Sequence, residues 1–210
     1  MKAICLRAGR ALAACLLCLA VAGPAAAAAI TYRFDTLGDG TVLTDQYAGL
    51  HFTNATVLEA GISLNDALFP PRSGNAVLFD DGGPIAVLFD APVLSVFGYV
   101  TYSEGMSMLA YGSTGNLLAA ITAHYISNVD GGSGDPGSTP NELLGFASTG
   151  ELIARVEFRS AQSGNSFTLD DLTVTADAAA VPEPGSLALV LPPLAVLVFM
   201  MRRRAGRRRC

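Results

Sequence analysis

The sequence predicts an all-β protein: an antiparallel β-sandwich of jelly-roll type, placed between an N-terminal signal peptide and a C-terminal hydrophobic helix. Three observations carry this prediction. Turn-forming clusters recur at short intervals through the middle of the 210-residue chain, at Asp39-Gly40, Asp81-Gly82-Gly83, Gly112-Ser113-Thr114-Gly115-Asn116, Asp130-Gly131-Gly132, Ser148-Thr149-Gly150 and Ser163-Gly164-Asn165. The runs between them are short and either apolar or alternating, which is the length and period of strands. No helical period stands out there, and no repeat of about 20 to 50 residues points to a solenoid.

In chain order, residues 1–28 read as a secretory signal peptide. Lys2, Arg7 and Arg10 precede an apolar stretch at 11–21, and the alanines at 25–29 suit signal-peptidase cleavage between Ala27 and Ile30. Leu12-Ala13-Ala14-Cys15 also fits a lipobox, but cleavage there would leave a second apolar run at the mature N-terminus. Residues 30–175 are the size of one domain. Its strands are expected at 31–35, 50–58, 76–79, 85–89, 95–102, 107–111, 117–123, 152–158 and 166–174. Two hairpins are clearest, 108–111 with 117–123 and 153–158 with 167–174, each around a glycine-containing turn.

In the last strand, period two places Phe167, Leu169, Asp171 and Thr173 on one face and Thr168, Asp170, Leu172 and Val174 on the other. Neither face is cleanly apolar, so a bulge or bend at the Asp pair is expected, turning one carboxylate out of the core. The loop 128–141 is long, polar and glycine-rich, a composition that fits disorder or a flexible rim beside a binding face. Residues 176–180 are a short spacer.

All four cysteines lie outside this domain, at positions 5, 15, 18 and 210. No disulfide can brace it, and thiol catalysis and cysteine-zinc sites are excluded there. Charge is segregated along the chain. Only Arg33, Arg72, Arg155 and Arg159 stand against 18 acidic residues between Asp35 and Glu183, a net of about −14. Such a surface repels phosphate backbones, so no nucleic-acid partner is expected.

Candidate chemistry is sparse, and no catalytic residue is assigned. His51 and His124 lack a cysteine or histidine neighbour, and no Gly-x-Ser-x-Gly elbow is present. Glu59, Glu104, Glu142, Glu151 and Glu157 are available as glycosidase carboxylates, but nothing in the sequence pairs them. Without tryptophan, sugar stacking falls to Tyr47, Tyr99, Tyr102, Tyr111 and Tyr125. The candidate cofactor is a structural calcium ion, for which Asp35, Asp39, Asp80, Asp81, Asp170 and Asp171 are the carboxylate suppliers. Adjacent first and last strands, as in jelly rolls, would bring Asp35 near Asp170 or Asp171. The competing reading is that aspartates beside glycines are turn formers.

Residues 181–210 close the chain. Val181-Pro182-Glu183-Pro184 leads into an apolar run at 187–201 and then Arg202, Arg203, Arg204, Arg207, Arg208 and Arg209. Fifteen helical residues span roughly 22 Å against about 30 Å of hydrocarbon, and Pro192-Pro193 interrupts them. The segment therefore suits a short, temporary transmembrane anchor. The arginines orient it with the C-terminus inside and the domain outside.

This tail resembles the PEP-CTERM sorting signal of exopolysaccharide-producing Gram-negative bacteria. The resemblance implies processing near the motif by an exosortase, with Pro182, Glu183 and Pro184 as substrate positions. It departs at Pro192-Pro193, where related tails carry small, glycine-rich helix residues. Phe34-Asp35, Gly40-Thr41, Gln46-Tyr47, Gly49 and Phe52, together with the closing segment 167–174, are similar to exported β-sandwich domains attached to such tails. Those domains resemble galactose-binding-like and carbohydrate-binding jelly rolls in layout. The implied protein is non-enzymatic, exported through the inner membrane and displayed or released at the cell surface, with extracellular polysaccharide as a partner beside signal peptidase and exosortase. A carboxylate-dependent glycan-active enzyme and a self-associating matrix protein are the alternatives. Replacing Pro182, Glu183 and Pro184 by alanine is expected to leave the chain unprocessed in the inner membrane; release of the variant at the normal level in cell fractionation would refute the assignment.

Overall fold

A computed structural model describes residues 28–161 and 164–177. Residues 1–27 of the expected signal peptide, residues 178–180 of the spacer, and the whole of 181–210 with its sorting motif lie outside the described residues. Eleven strands follow one another: β1 (Ala29–Tyr32), β2 (Val42–Leu43), β3 (Leu50–Thr53), β4 (Ala55–Glu59), β5 (Ala76–Asp80), β6 (Ile85–Tyr102), β7 (Met106–Tyr111), β8 (Leu117–Thr122), β9 (Glu142–Ala147), β10 (Ile153–Ser160) and β11 (Phe167–Ala176). Their pairings are antiparallel. Among the described residues no helix is long and apolar enough to cross a membrane.

The predicted all-β sandwich of jelly-roll type is the fold observed, and β6 shows how it is built. The first part of this 18-residue strand pairs with β3 and β10, and the second part pairs with β9 and β11. One layer thus runs β3-β6-β10-β7-β8, and the other runs β9-β6-β11-β5-β4-β2 with β1 also on β11. Between the two parts the buried face changes phase. Ile85, Val87 and Phe89 are buried in the first, whereas Val96, Gly98, Val100 and Tyr102 are buried in the second. A one-residue slip inverts which side chains face inward. The odd phase is interrupted at exposed Asp90 and Ala91, resumes at buried Val93 and Ser95, and gives way to the even phase at Ser95–Val96. This corrects the expectation of two separate strands at 85–89 and 95–102.

A second change of layer is made by breaking a strand. The single strand expected at 50–58 is two, separated by Asn54 with φ of 56°. Asparagine tolerates this left-handed conformation, and its Nδ2 donates to the carbonyl of Pro84 at 3.1 Å. Consequently β3 joins one layer and β4 the other.

The hairpin of β7 and β8 forms as expected. The hairpin expected between 153–158 and 167–174 does not: β10 pairs with β6 and β7, and β11 with β1, β5 and β6. Strand β9 was not expected from the sequence, because Gly145 interrupts its pattern. The loop 128–141 is tied down rather than loose. Asn128 is fully buried, accepting from the N–H of Tyr102 at 2.6 Å and donating to the carbonyl of Val100 at 3.0 Å. Asp135 accepts from the N–H groups of Ile126 and Ser127, and the N–H of Asp130 reaches the carbonyl of Leu68.

Residues Ala27–Ala180 form one compact unit whose core is filled from both layers. Phe158 of β10 reaches across to Gly98 of β6, where an added Cβ would lie 3.4 Å from its Cζ and 2.5 Å from Cδ1 of Leu169. Both side chains are fully buried. Near β1 and β3, Phe34, Tyr47 and Phe52 make edge-on and tilted ring contacts with centroids 6.0 to 6.4 Å apart. Gly98→Ala is expected to over-pack this core and destabilise it by about 1–3 kcal/mol. Gly105→Ala, where nothing lies within 4 Å of the added Cβ, is expected to be near neutral. Urea unfolding of the two variants measures the difference.

Candidate functional site

The predicted bulge in β11 organises the outer surface of the second layer. Register against β6 shifts between Asp170 and Thr173, and Asp171 takes φ of 47°. The slip turns Asp171 toward the surface and keeps Asp170 buried. Asp170 accepts from the backbone N–H groups of Arg72, Ser73 and Asp171 at 2.8, 3.0 and 2.6 Å. Asp171 accepts from the hydroxyl of Ser73 at 2.7 Å and lies 3.6 Å from Nε of Arg33. Asp35 accepts from the N–H groups of Asn75 and Ala76 at 2.7 and 3.1 Å. Three carboxylates therefore clasp the single loop 72–76. Its turn requires Gly74, with φ of 57° and the Asp35 carboxylate 2.1 Å from where a Cβ would sit.

The sequence placed Asp35 near Asp170 or Asp171 as calcium ligands; in the structure the three meet the same loop and accept from its N–H and hydroxyl groups. The other three sit apart. Asp39 accepts from the N–H of Glu59 and the hydroxyl of Ser63. Buried Asp80 accepts from the N–H groups of Ser166 and Phe167 at 2.8 and 3.0 Å, and Asp81 accepts from the hydroxyl of Thr56. Among the described residues no three His, Cys, Asp or Glu groups are set to share a metal ion.

Clasping the loop places Arg72 over β6. Its guanidinium carbon lies 4.6 Å from the ring centroid of Tyr99, the residue opposite Asp170 in the β6–β11 register. Among the described residues Arg72 has no carboxylate partner. On the other side of Tyr99, β9 sets the half-exposed Leu143 directly opposite. Two residues along, Phe97 faces Gly145, and a Cβ on Gly145 would fall 2.0 to 2.7 Å from three atoms of the Phe97 ring. Glycine is what lets that ring lie across the strand. The result is an outward strip of Tyr99, Phe97 and Leu143 with a guanidinium stacked at one end.

The five tyrosines named as sugar-stacking candidates separate cleanly. Tyr102 is buried and donates to Glu142, and Tyr47 belongs to the aromatic core cluster. Tyr125 donates to the carbonyl of Gly137 at 2.9 Å while its ring meets that of His124. Tyr99 and Tyr111 alone face outward under an arginine. Sequence reasoning missed Arg72, Phe97, Leu143 and Gly145. Alternation in 95–102 does put Phe97 and Tyr99 on the face opposite Val96 and Val100.

Burial dominates the electrostatics. It pushes the carboxyl of Asp170 up to about 6, against the opposing pull of the backbone donors, and raises Asp80 for the same reason. It also raises Tyr102, aided by Glu142. His51 is exposed and is raised by hydrogen bonds to Asp45 and Asp90 at 2.5 and 2.7 Å.

No protein-family model and no curated protein matches the chain. Among solved structures it is similar to the K2 cleaved adhesin domain of Lys-gingipain, at 13% identity over 70% of this chain and 99% of that one, with a TM-score of 0.44. It is also similar to a family 29 carbohydrate-binding module from Piromyces equi, at 11% identity over 72% of this chain and 92% of that one, with a TM-score of 0.41.

The raised Asp170 has a signed consequence. Relative to its unfolded value near 3.9, the folded protein holds this proton more tightly, so the stability it contributes is present below about pH 4 and lost as pH rises to about 6. Asp170→Asn is expected to remove that part of the slope. Urea midpoints of both proteins across this pH window check it; parallel curves would show that Asp170 titrates normally.

Proposed function

We propose that the protein is an exported, non-enzymatic β-sandwich, sorted to the cell surface through its C-terminal signal, that holds an uncharged glycan against Tyr99, Phe97 and Arg72. The observation that carries the binding part is Arg72: a guanidinium stacked on an outward tyrosine, positioned by a buried carboxylate, with no ion-pair partner among the described residues. A hexose ring offers an apolar face to Tyr99 and Phe97 and hydroxyl oxygens to the guanidinium. The rest of the domain is strongly acidic, which repels a polyanion over a distance of about 8 Å in physiological salt. An uncharged chain meets no such barrier.

The non-enzymatic part is supported by where the glutamates go. Glu59 accepts from the N–H of Asp39, and Glu142 accepts from Tyr102 and from the N–H of His124. Glu151 accepts from the N–H of Ser113 and from Asn116, and Glu157 is bridged by Arg155 and Arg159. Four of the five glutamates named as candidate acids thus act as structural acceptors. The sorting part rests on the sequence of 181–210 and on its likeness to exosortase substrates.

A glycan array probed with the full chain tests the reading. Binding to neutral oligosaccharides is expected, and Tyr99→Ala should weaken it about tenfold, or ~1.4 kcal/mol. Unchanged binding by that variant, or repeated blanks for the wild type, would leave a structural or adhesive role.

A further inference from the structure

The opposite face of the sandwich carries a second arginine–tyrosine stack, in which the guanidinium is also ion-paired to a glutamate. On the outer side of β3, β6, β10, β7 and β8, register aligns His51, Leu88, Arg155, Tyr111 and Leu117 in one row. The guanidinium of Arg155 lies 4.0 Å from the centroid of the Tyr111 ring. The hydroxyl of Tyr111 donates to Glu157 at 3.2 Å, and Glu157 is also bridged by Arg155 and by Arg159, the latter at 3.0 Å. Leu88 and Leu117, on either side of this pair, are 48% and 54% exposed. Their neighbours Val87, Val156, Phe158, Met108 and Ala110 point the other way and are buried, so the row is the outward surface of its layer.

Two features identify what would lie there. Arg155 and Arg159 flank Glu157 along β10, about 6.6 Å between successive members, and Glu157 holds both in place while their remaining guanidinium N–H groups can donate to hydroxyl oxygens. The trio carries a net charge of only one, so it gives this face no strong pull on a polyanion and its donors suit an uncharged chain. The domain's four arginines are shared two to a face, Arg33 and Arg72 on one and Arg155 and Arg159 on the other. Each face holds one tyrosine beneath a guanidinium, beside an exposed leucine.

We infer that the Arg155–Tyr111 row is a second saccharide-binding face and that one copy of the protein bridges two strands of an uncharged, extended polysaccharide. This rests on the reading that the Tyr99 face binds a neutral glycan. Outward faces of a two-layer sandwich point in opposite directions, so the two strands cannot be turns of one short chain. The role is that of a cross-linker.

Calorimetric titration of the full chain in mild detergent, with hexasaccharides of β-1,4- and β-1,3-linked glucose, counts the sites; light scattering with the parent polymers reads bridging. Two sites per chain are expected for the wild type and one each for Tyr99→Ala and Tyr111→Ala. Arg155→Gln, which leaves the ring in place, should weaken only the second site, about tenfold. Scattering should rise with the wild type alone. A single wild-type site that Tyr99→Ala removes and Tyr111→Ala and Arg155→Gln leave intact overturns the second face and keeps the first. A single site lost only in Tyr111→Ala overturns the Tyr99 reading, and the bridging with it. No binding of either glucan overturns both.

Discussion

The fold depends on one strand being hydrogen-bonded in two layers. β6 supplies partners to β3 and β10 in its first part and to β9 and β11 in its second. No disulfide is available to join the layers, so their alignment comes from this covalent continuity and from side chains that cross between them. Gly98 and Phe158 illustrate the second contribution: a residue without a side chain in one layer receives the ring of the other. The phase change at Ser95–Val96 is then a requirement, since each part of β6 must turn its apolar side toward the same interior.

Surface chemistry depends on a different device, carboxylates used as acceptors for loop N–H groups. Loop amides that no turn or strand partner satisfies need another acceptor, and an unpaired buried N–H costs about 1–3 kcal/mol. In this domain Asp35, Asp80, Asp135 and Asp170 each take two or more such donors. Acidity that reads as charge in the sequence is in good part internal wiring. The same wiring explains how a loop without regular structure can present Arg72 at a fixed height over Tyr99.

How much of this could be read beforehand varies by element. The Asp pair in β11 was legible because it violates a two-residue period on both faces, and a bulge is the cheapest way to relieve that. The adjacency of β1 and β11 was legible from the fold class and is observed from Ala29 opposite Thr175 to Tyr32 opposite Leu172. β6 was not, because Asp90 and Pro92 are turn-like locally and only tertiary pairing extends the strand through them. β9 was hidden by Gly145, whose missing side chain makes sense only once Phe97 lies across it. Composition alone misjudged 128–141, since it cannot reveal that Asn128 substitutes for a strand partner of Tyr102 and Val100. Among the five tyrosines, picking out Tyr99 and Tyr111 as the ones that face outward under an arginine required knowing which side of each strand faces the core.

The pairing of β1 with β11 bears on how the domain carries a load. β11 ends at Ala176 with β1 along one side and β6 along the other. A pull applied beyond Ala176 runs along the strand axis, so the hydrogen bonds on both flanks share the strain together and must slide rather than peel. Strands loaded in this direction resist extension far better than hairpins opened from a free end. The domain is therefore built to be tugged from its C-terminal side without unravelling.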